Sequence, residues 1–235
     1  MPAGGTLSPS ISGMFPPLHE PSKSFAPPPA RREPVALLVA ALALLVISGI
    51  RPEDRFTWVL EVAPVVAAVP ILVATYRRFP LTPLVYRLLF FHALVLMLGG
   101  HYTYAETPPG FWFRDLFGLA RNHYDRFGHF VQGFVPAILV REVLRRRAGL
   151  SPGGWLFFLV TSVCLAVSAA YELIEWATAL ATGSAAMAFL GTQGDVWDTQ
   201  WDMFLALVGC LTAQLLLARV HERQLARLPG ASPPL

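Results

Sequence analysis

Six long apolar stretches constrain the fold of this chain more than any other feature of its sequence. They lie at about 34–50, 56–75, 84–100, 127–141, 154–181 and 203–220. An α-helix rises 1.5 Å per residue, so about 20 apolar residues cross the roughly 30 Å of hydrocarbon in a bilayer. Each stretch approaches or exceeds that length. The pattern therefore predicts an all-α, polytopic membrane protein with a bundle of about six transmembrane helices.

The composition agrees with a chain that faces lipid. Hydrophobic residues make up 54% of the sequence and charged residues only 14%, which is too little polar material to cover a soluble domain. The arginines stand in short clusters between apolar stretches and form no basic face, so we expect no nucleic-acid partner. Cys164 and Cys210 lie inside apolar stretches without metal-binding spacing, and we interpret them as packing residues. The sequence leaves the oligomeric state open.

The distribution of basic residues predicts the orientation in the membrane. Thirteen of the 18 Lys and Arg residues lie in the two tails and in the second and fourth loops, whereas five lie in the first and third loops. Because basic residues accumulate on the cytoplasmic side, this count predicts that both termini are cytoplasmic and that loops one, three and five face outward.

The sequence also predicts three regions along the chain. Residues 1–33 are rich in proline and poor in apolar residues, which predicts a disordered cytoplasmic tail. Residues 34–222 form the transmembrane domain, and residues 223–235 form a flexible cytoplasmic C-terminal tail. A cleaved secretory signal is the alternative interpretation of the N-terminus. The late start of the first apolar stretch favours an uncleaved membrane anchor.

Ionisable residues gather at the predicted outer ends of four stretches. The third stretch runs into His101 and Glu106, and the fourth is preceded by His123 and contains or adjoins Asp125 and His129. Asp125 and His129 are four residues apart, so they share one face of a helix and can share a metal ion or a proton.

The fifth and sixth stretches add carboxylates on the same side. Glu172 and Glu175 are three residues apart near the outer end of the fifth stretch, where two carboxylates cost several kcal/mol unless they are paired, protonated or bound to a cation. If the last helix begins near Gly194, then Asp195, Asp198 and Asp202 lie on one stripe of it. Asp195 or Asp198 could alternatively cap that helix. Arg114, Arg121 and Arg126 are the possible ion-pair partners on this side.

These residues predict a site for a divalent metal ion near the outer surface. Oxygen and nitrogen donors without thiolates suit Mg²⁺, Mn²⁺, Ca²⁺ or Zn²⁺. We expect His101 or His123 to act as a general base, with Glu106 as a further catalytic candidate. A purely structural hydrogen-bonded network is the alternative. The expected metal ligands are Asp125, His129, Glu172, Glu175, Asp198 and Asp202.

The same stretches resemble those of a bacterial inner-membrane family typified by YjdF. The resemblance is carried by HYTYAE at 101–106, RNHYDRFGHFVQGFVPAILVRE at 121–142, YELIEW at 171–176 and GTQGDVWDTQWDM at 191–203. It implies a multi-pass protein of the bacterial inner membrane and supplies no activity. A looser similarity, carried by the stretch from Asp125 to Phe130 and by the later Glu172 and Asp202, is to VanZ-like membrane proteins. That similarity implies a shared membrane scaffold.

Three functional hypotheses follow from the sequence. The leading one is a metal-assisted enzyme that acts on a membrane lipid or lipid-linked head group at the periplasmic face. The alternatives are a proton- or cation-coupled transporter and a non-catalytic membrane assembly protein. The inner halves of the fourth to sixth stretches look nearly all apolar, and this asymmetry favours a site that opens to one face over a transport path.

Overall fold

The computed structural model describes residues 32–183 and 187–228, and these residues are helical wherever they form regular structure. A 3₁₀ turn, Tyr104–Glu106, follows the third of the helices. The helices are α1 Arg32–Ser48, α2 Arg55–Thr75, α3 Pro83–Tyr102, α4 Pro108–Phe117, α5 Tyr124–Arg147, α6 Gly154–Thr182, α7 Met187–Leu190 and α8 Asp198–Leu225. Most of the predicted N-terminal tail and the last seven residues of the predicted C-terminal tail lie outside the described residues. The helix α8 itself continues past residue 223, where that tail was predicted to begin.

Five of these helices are long and apolar enough to cross a membrane, namely α2, α3, α5, α6 and α8. This confirms the prediction of an all-α polytopic membrane protein. The helix α1 is also apolar but has 17 residues, a length of about 25 Å, which is shorter than the hydrocarbon core. The number of six spans therefore stays a prediction.

Local sequence signals set the helix ends. Asp54 caps α2, because its carboxylate accepts a hydrogen bond from the Thr57 backbone N–H at 2.6 Å. Pro83 stands at the start of α3, where its missing N–H costs nothing. The last helix begins at Asp198 and not near Gly194, so the prediction that Asp195 shares a helical stripe with Asp198 and Asp202 was wrong.

The closest helix pair in the bundle is α5 and α8. A Cβ atom added at Gly133 would lie 1.8 Å from the carbonyl oxygen of Ala206, and one added at Gly209 would lie 2.0 Å from that of Phe130. Only glycine lets two backbones approach this closely, as is common between helices in membranes. Because this contact fixes α5 against α8, the residues one turn above it are held opposite one another.

The two ends of the bundle differ in charge. We call the end where α5 and α8 begin and α6 finishes the acidic end, and the opposite end the basic end. At the basic end, Glu142 accepts hydrogen bonds from the Thr82 hydroxyl at 2.7 Å and lies 3.0 Å from His221 Nε2. Glu142 and His221 are both completely buried. The expectation of nearly all-apolar inner helix halves was therefore wrong at this end, although every polar group named here has a partner.

Candidate functional site

Three helices bring imidazole and carboxylate groups together at the acidic end. The helix α5 contributes Asp125 and His129, α6 contributes Glu172, and α8 contributes Asp202, and all four are buried. The Nε2 atom of His129 lies 3.6 Å from Asp125 Oδ1 and 3.9 Å from Asp202 Oδ2. Its Nδ1 atom lies 3.7 Å from Glu172 Oε1. The structure therefore brings these four side chains together.

Two overlapping sets of side chains have the spacing of metal ligands. One is Asp125, His129 and Asp202, and the other is His129, Glu172 and Glu175, with the candidate ligand atoms of each set within 4.8 Å of one another. A single imidazole belongs to both sets. Its hydrogen bonding therefore decides which set is better prepared for a cation.

The side-chain amide of Gln132 is the hydrogen-bond partner that distinguishes the two sets. Its Oε1 atom lies 2.9 Å from His129 Nδ1, and because an amide oxygen only accepts hydrogen bonds, this contact favours a proton on Nδ1. In the neutral imidazole with that tautomer, the lone pair is on Nε2, the nitrogen that faces Asp125 and Asp202. An imidazole held in this way by an outer hydrogen bond is the usual arrangement of a metal-binding histidine, so the set on α5 and α8 is the better candidate.

Each of the three carboxyl groups around His129 has one oxygen that the described residues leave without a hydrogen-bond partner. Among the described residues, Asp125 Oδ2, Glu172 Oε1 and Asp202 Oδ1 are buried and accept no hydrogen bond. A buried carboxylate oxygen without a partner is costly. In the described part of the chain, no Lys or Arg forms an ion pair with these three residues. The arrangement therefore calls for a cation or for protons from outside the chain.

The distances in this set fit a small divalent ion. Metal bonds to imidazole nitrogen and carboxylate oxygen are about 2.0 to 2.2 Å long, which places neighbouring ligand atoms of a tetrahedral site about 3.4 Å apart. The observed separations from Nε2, 3.6 and 3.9 Å, need only a slight contraction. Three protein ligands would leave one position for water or substrate, as in catalytic zinc sites.

Asp198 takes a different place from the one predicted. Its Oδ1 atom accepts a hydrogen bond from Arg121 Nη1 at 3.1 Å, and the same nitrogen lies 3.3 Å from Asp195 Oδ2. Arg126 also pairs with Asp195. These residues form a rim of ion pairs above the His129 cluster, and Asp198 belongs to neither set of candidate ligands.

The structure does not bring His101, His123 and Glu106 into the cluster as catalytic residues. His101 Nδ1 lies 2.8 Å from the Ser48 carbonyl oxygen, and Glu106 is exposed. His123 Nδ1 lies 3.3 Å from Arg126 Nη1, and partial burial together with the positive charges of its arginine neighbours lowers the pKa of His123. We therefore do not assign the base to any of the three.

Sequence reasoning missed the contribution of α2 to the cluster. Glu61 is 5% exposed and accepts a hydrogen bond from the Tyr171 hydroxyl at 3.4 Å. The Tyr171 ring in turn packs edge-on against the His129 imidazole, with 6.3 Å between ring centroids. The only available signal was a single Glu inside an apolar stretch, and nothing in its local sequence indicated a partner 110 residues away.

Tyr104 is also buried at the acidic end of the bundle. A tyrosine close to the membrane surface suggests an interfacial residue, but Tyr104 is 5% exposed and its ring fills the space beside Gly99 and Gly128. Burial, together with the nearby Glu61 carboxyl group, raises the pKa of the Tyr104 hydroxyl well above its usual value. This hydroxyl therefore remains protonated beside the cluster.

An all-helical, multi-pass membrane protein with a buried carboxylate and imidazole cluster at one end is the class that this fold and site define. The chain belongs to the family described as predicted membrane protein (DUF2238), which it matches over residues 33–223. It is 54% identical over 198 residues to "Inner membrane protein YjdF" of Escherichia coli (strain K12), an alignment that covers 83% of this chain and 95% of that protein. No solved structure matches the chain.

These comparisons confirm the predicted family and the inner-membrane localisation. The match runs from the first residues of α1 to the last turn of α8, so it includes every helix that carries the His129 cluster. The similarity to VanZ-like proteins stays a prediction.

Proposed function

We propose that Asp125, His129 and Asp202 bind one divalent cation, and that the protein is a metal-assisted enzyme acting on a lipid or lipid-linked head group at the acidic end. The observation that carries this proposal is the convergence of two carboxyl groups on the Nε2 atom of His129. The second oxygen of each group, Asp125 Oδ2 and Asp202 Oδ1, is buried and accepts no hydrogen bond among the described residues. With no basic side chain of the described residues paired to them, a cation is the partner that best satisfies these oxygens.

The donor set narrows the choice of cation. Calcium takes six to eight oxygen ligands, whereas this set offers one nitrogen and two carboxylates. Zinc and manganese accept such mixed ligands, and zinc reaches a complete site with three protein ligands and one open position. We therefore expect Zn²⁺ or Mn²⁺ to bind more tightly than Ca²⁺ or Mg²⁺.

A cation bound here would polarise a phosphoryl or acyl oxygen of a substrate and make a coordinated water more acidic. The chain supplies the groups that handle protons beside it. Glu172 presents a buried, unpartnered Oε1 atom 3.7 Å from His129, which suits a general base. The Tyr171 hydroxyl donates its proton to Glu61, so it can accept a hydrogen bond from a substrate hydroxyl group.

The surroundings of the cluster support a head-group substrate. Trp176 and Trp197 are more than half exposed, and Trp112 on the short helix α4 is 72% exposed. Tryptophan side chains concentrate at the level of lipid head groups, where an apolar ring and a polar N–H are both accommodated. A substrate that resides in that layer would meet the cluster without leaving the membrane.

The packing below the cluster supports a site that opens to one side. Directly under it, the backbone of α5 at Gly133 touches Ala206, and Gly209 touches Phe130. Between this contact and Gln214, the buried residues that α8 contributes to the bundle are small and mostly apolar, including Cys210 and Ala213. A coupled transporter needs a polar path through this layer, so we favour the enzyme over the transporter.

The proposal is tested with the full-length protein in vesicles of bacterial polar lipids. With added Zn²⁺ or Mn²⁺ we expect mass spectrometry to detect a change in a head-group or acyl linkage. Asp202→Asn should lower the rate of this lipid conversion at least about a hundredfold, since several kcal/mol of transition-state stabilisation depend on the cation. Asp115→Asn, on an exposed residue of α4, is the matched control and should react like the wild type. An unchanged rate for Asp202→Asn would overturn the proposal.

A further inference from the structure

A second feature, remote from the His129 cluster, is a cleft of about 400 Å³ between α1 and α2. Both helices pack on α3, which forms the floor of the cleft. The volume lies in the range of small-molecule binding sites. The walls and floor are apolar and include Leu38, Ala41, Ala68, Leu72, Leu89 and Ala93.

The cleft runs from the basic end toward the middle of the bundle. On α2 it extends from Tyr76 to Pro64, about 18 Å at the rise of a helix. It stops one turn short of Glu61, so it is separate from the candidate metal site. Its long, narrow and apolar shape within membrane-spanning helices matches a single acyl chain.

The mouth of the cleft is basic. Arg77 and Arg78 follow directly after Tyr76, which lines the cleft, and both are exposed. Among the described residues neither forms an ion pair. On the opposite side of the mouth, Arg87 of α3 pairs with Glu33 of α1. Basic residues at the mouth of a pocket between transmembrane helices are the usual recognition feature for anionic lipid head groups.

We propose that this cleft binds one anionic phospholipid from the leaflet at the basic end. One acyl chain fills the space between α1 and α2, and Arg77 and Arg78 contact the phosphate. This site is independent of the proposed function, because it shares no residue with the His129 cluster and opens at the other end of the bundle.

Native mass spectrometry of the full-length protein, exchanged into phosphatidylglycerol or phosphatidylcholine, tests the proposal. We expect the wild type to retain one phosphatidylglycerol and to bind phosphatidylcholine more weakly. The double variant Arg77→Gln and Arg78→Gln should bind phosphatidylglycerol about 30-fold more weakly, which corresponds to about 2 kcal/mol for two basic residues. Ala93→Phe, which fills the floor, should weaken both lipids.

Two controls separate this site from general charge effects. The double variant Arg223→Gln and Arg227→Gln removes the same charge at the basic end, in and just after the last turn of α8, and should bind like the wild type. The double variant Arg77→Lys and Arg78→Lys should also bind like the wild type. Equal retention of both lipids by the wild type would overturn the proposal. So would an equal loss of phosphatidylglycerol binding in the two double variants, Arg77→Gln with Arg78→Gln and Arg223→Gln with Arg227→Gln. A wild type without retained lipid, as expected if the N-terminal tail or a second copy filled the cleft, would overturn it too.

Discussion

At the scale of single residues, the protein is organised around His129. Its two ring nitrogens face different neighbours, because Gln132 accepts from Nδ1 while Asp125 and Asp202 lie beside Nε2. Two carboxylates alone would only repel one another. With the imidazole lone pair between them they become a candidate cation site, so the orientation of one ring determines what the cluster can bind.

Gln132→Leu should therefore weaken metal binding without removing a ligand. The loss of the amide oxygen leaves the Nδ1 proton without its acceptor and frees the ring to turn or to move its proton to Nε2, and such outer-shell losses cost about 10- to 100-fold in metal affinity. Titration calorimetry with Zn²⁺ measures this change. Gln200→Leu, on an exposed residue at the same end, is the control, and equal affinities for the two variants would contradict the role of Gln132.

Part of this site could be predicted from the sequence, and part could not. The spacing of Asp125 and His129 places them on one face of any helix, so their convergence followed from local geometry. The different roles of Asp198 and Asp202 did not follow from the sequence, because both lie on one helical face. Only Arg121, which is distant in the sequence and pairs with Asp198, distinguishes the two. Glu61 was missed for the same reason, since its partner lies on another helix.

At the scale of helices, the polar first and last turns were the hardest part to predict. The hydropathy of the fourth stretch indicated 127–141, whereas α5 spans Tyr124–Arg147, and α8 extends beyond 203–220 in the same way. Hydropathy reports the average preference for lipid. Residues such as Glu142 and His221, which are polar but face the bundle interior, therefore look like loop residues in the sequence.

The contact between α5 and α8 should not tolerate a methyl group. Gly209→Ala would place a Cβ atom 2.0 Å from the Phe130 carbonyl oxygen, so the helices must separate, and we expect a loss of about 1 to 3 kcal/mol or more. Thermal unfolding in detergent would measure this loss of stability. We also expect the variant to bind the metal ion more weakly. Gly154→Ala, which meets no atom within 4 Å, is the control. A melting temperature of Gly209→Ala equal to that of this control would contradict the account.

The buried network at the basic end should matter for stability and not for metal binding. His221→Leu removes one hydrogen-bond partner of Glu142 Oε2, which keeps the Thr82 hydroxyl, and the loss of a hydrogen bond to a charged group typically costs about 1.5 to 3 kcal/mol. Unfolding experiments should show this loss, while the folded fraction of the variant keeps the wild-type affinity for Zn²⁺. Reduced affinity in the folded fraction would show that the two ends are coupled.

At the scale of the whole molecule, the charge distribution sets the orientation in the membrane. The basic end carries most of the arginines, and the positive-inside rule predicts that it lies in the cytoplasm. The same rule predicts that the acidic end, with the His129 cluster and the tryptophans around it, faces the periplasm. This orientation decides which leaflet supplies a substrate to the cluster and which supplies a lipid to the cleft.

Cysteine labelling in intact cells tests this orientation. Val196→Cys, at an 85% exposed position of the acidic end, should react with a membrane-impermeant maleimide from outside. Ser151→Cys, in the exposed loop between α5 and α6, should react only after the cells are permeabilised. The native cysteines are both buried and provide the unlabelled background. Labelling of Ser151→Cys alone in intact cells would reverse the topology and place the cluster on the cytoplasmic side.

The metal content of the purified full-length protein tests the central claim most directly. After incubation with Zn²⁺ or Mn²⁺ and removal of unbound ions, elemental analysis should find one ion per chain in the wild type and almost none in Asp125→Asn or Asp202→Asn. Asp198→Asn should keep its ion, because Asp198 pairs with Arg121 outside the ligand set. A folded wild type that binds no ion, or an Asp198→Asn variant that loses it as fully as Asp202→Asn, would contradict the site described here.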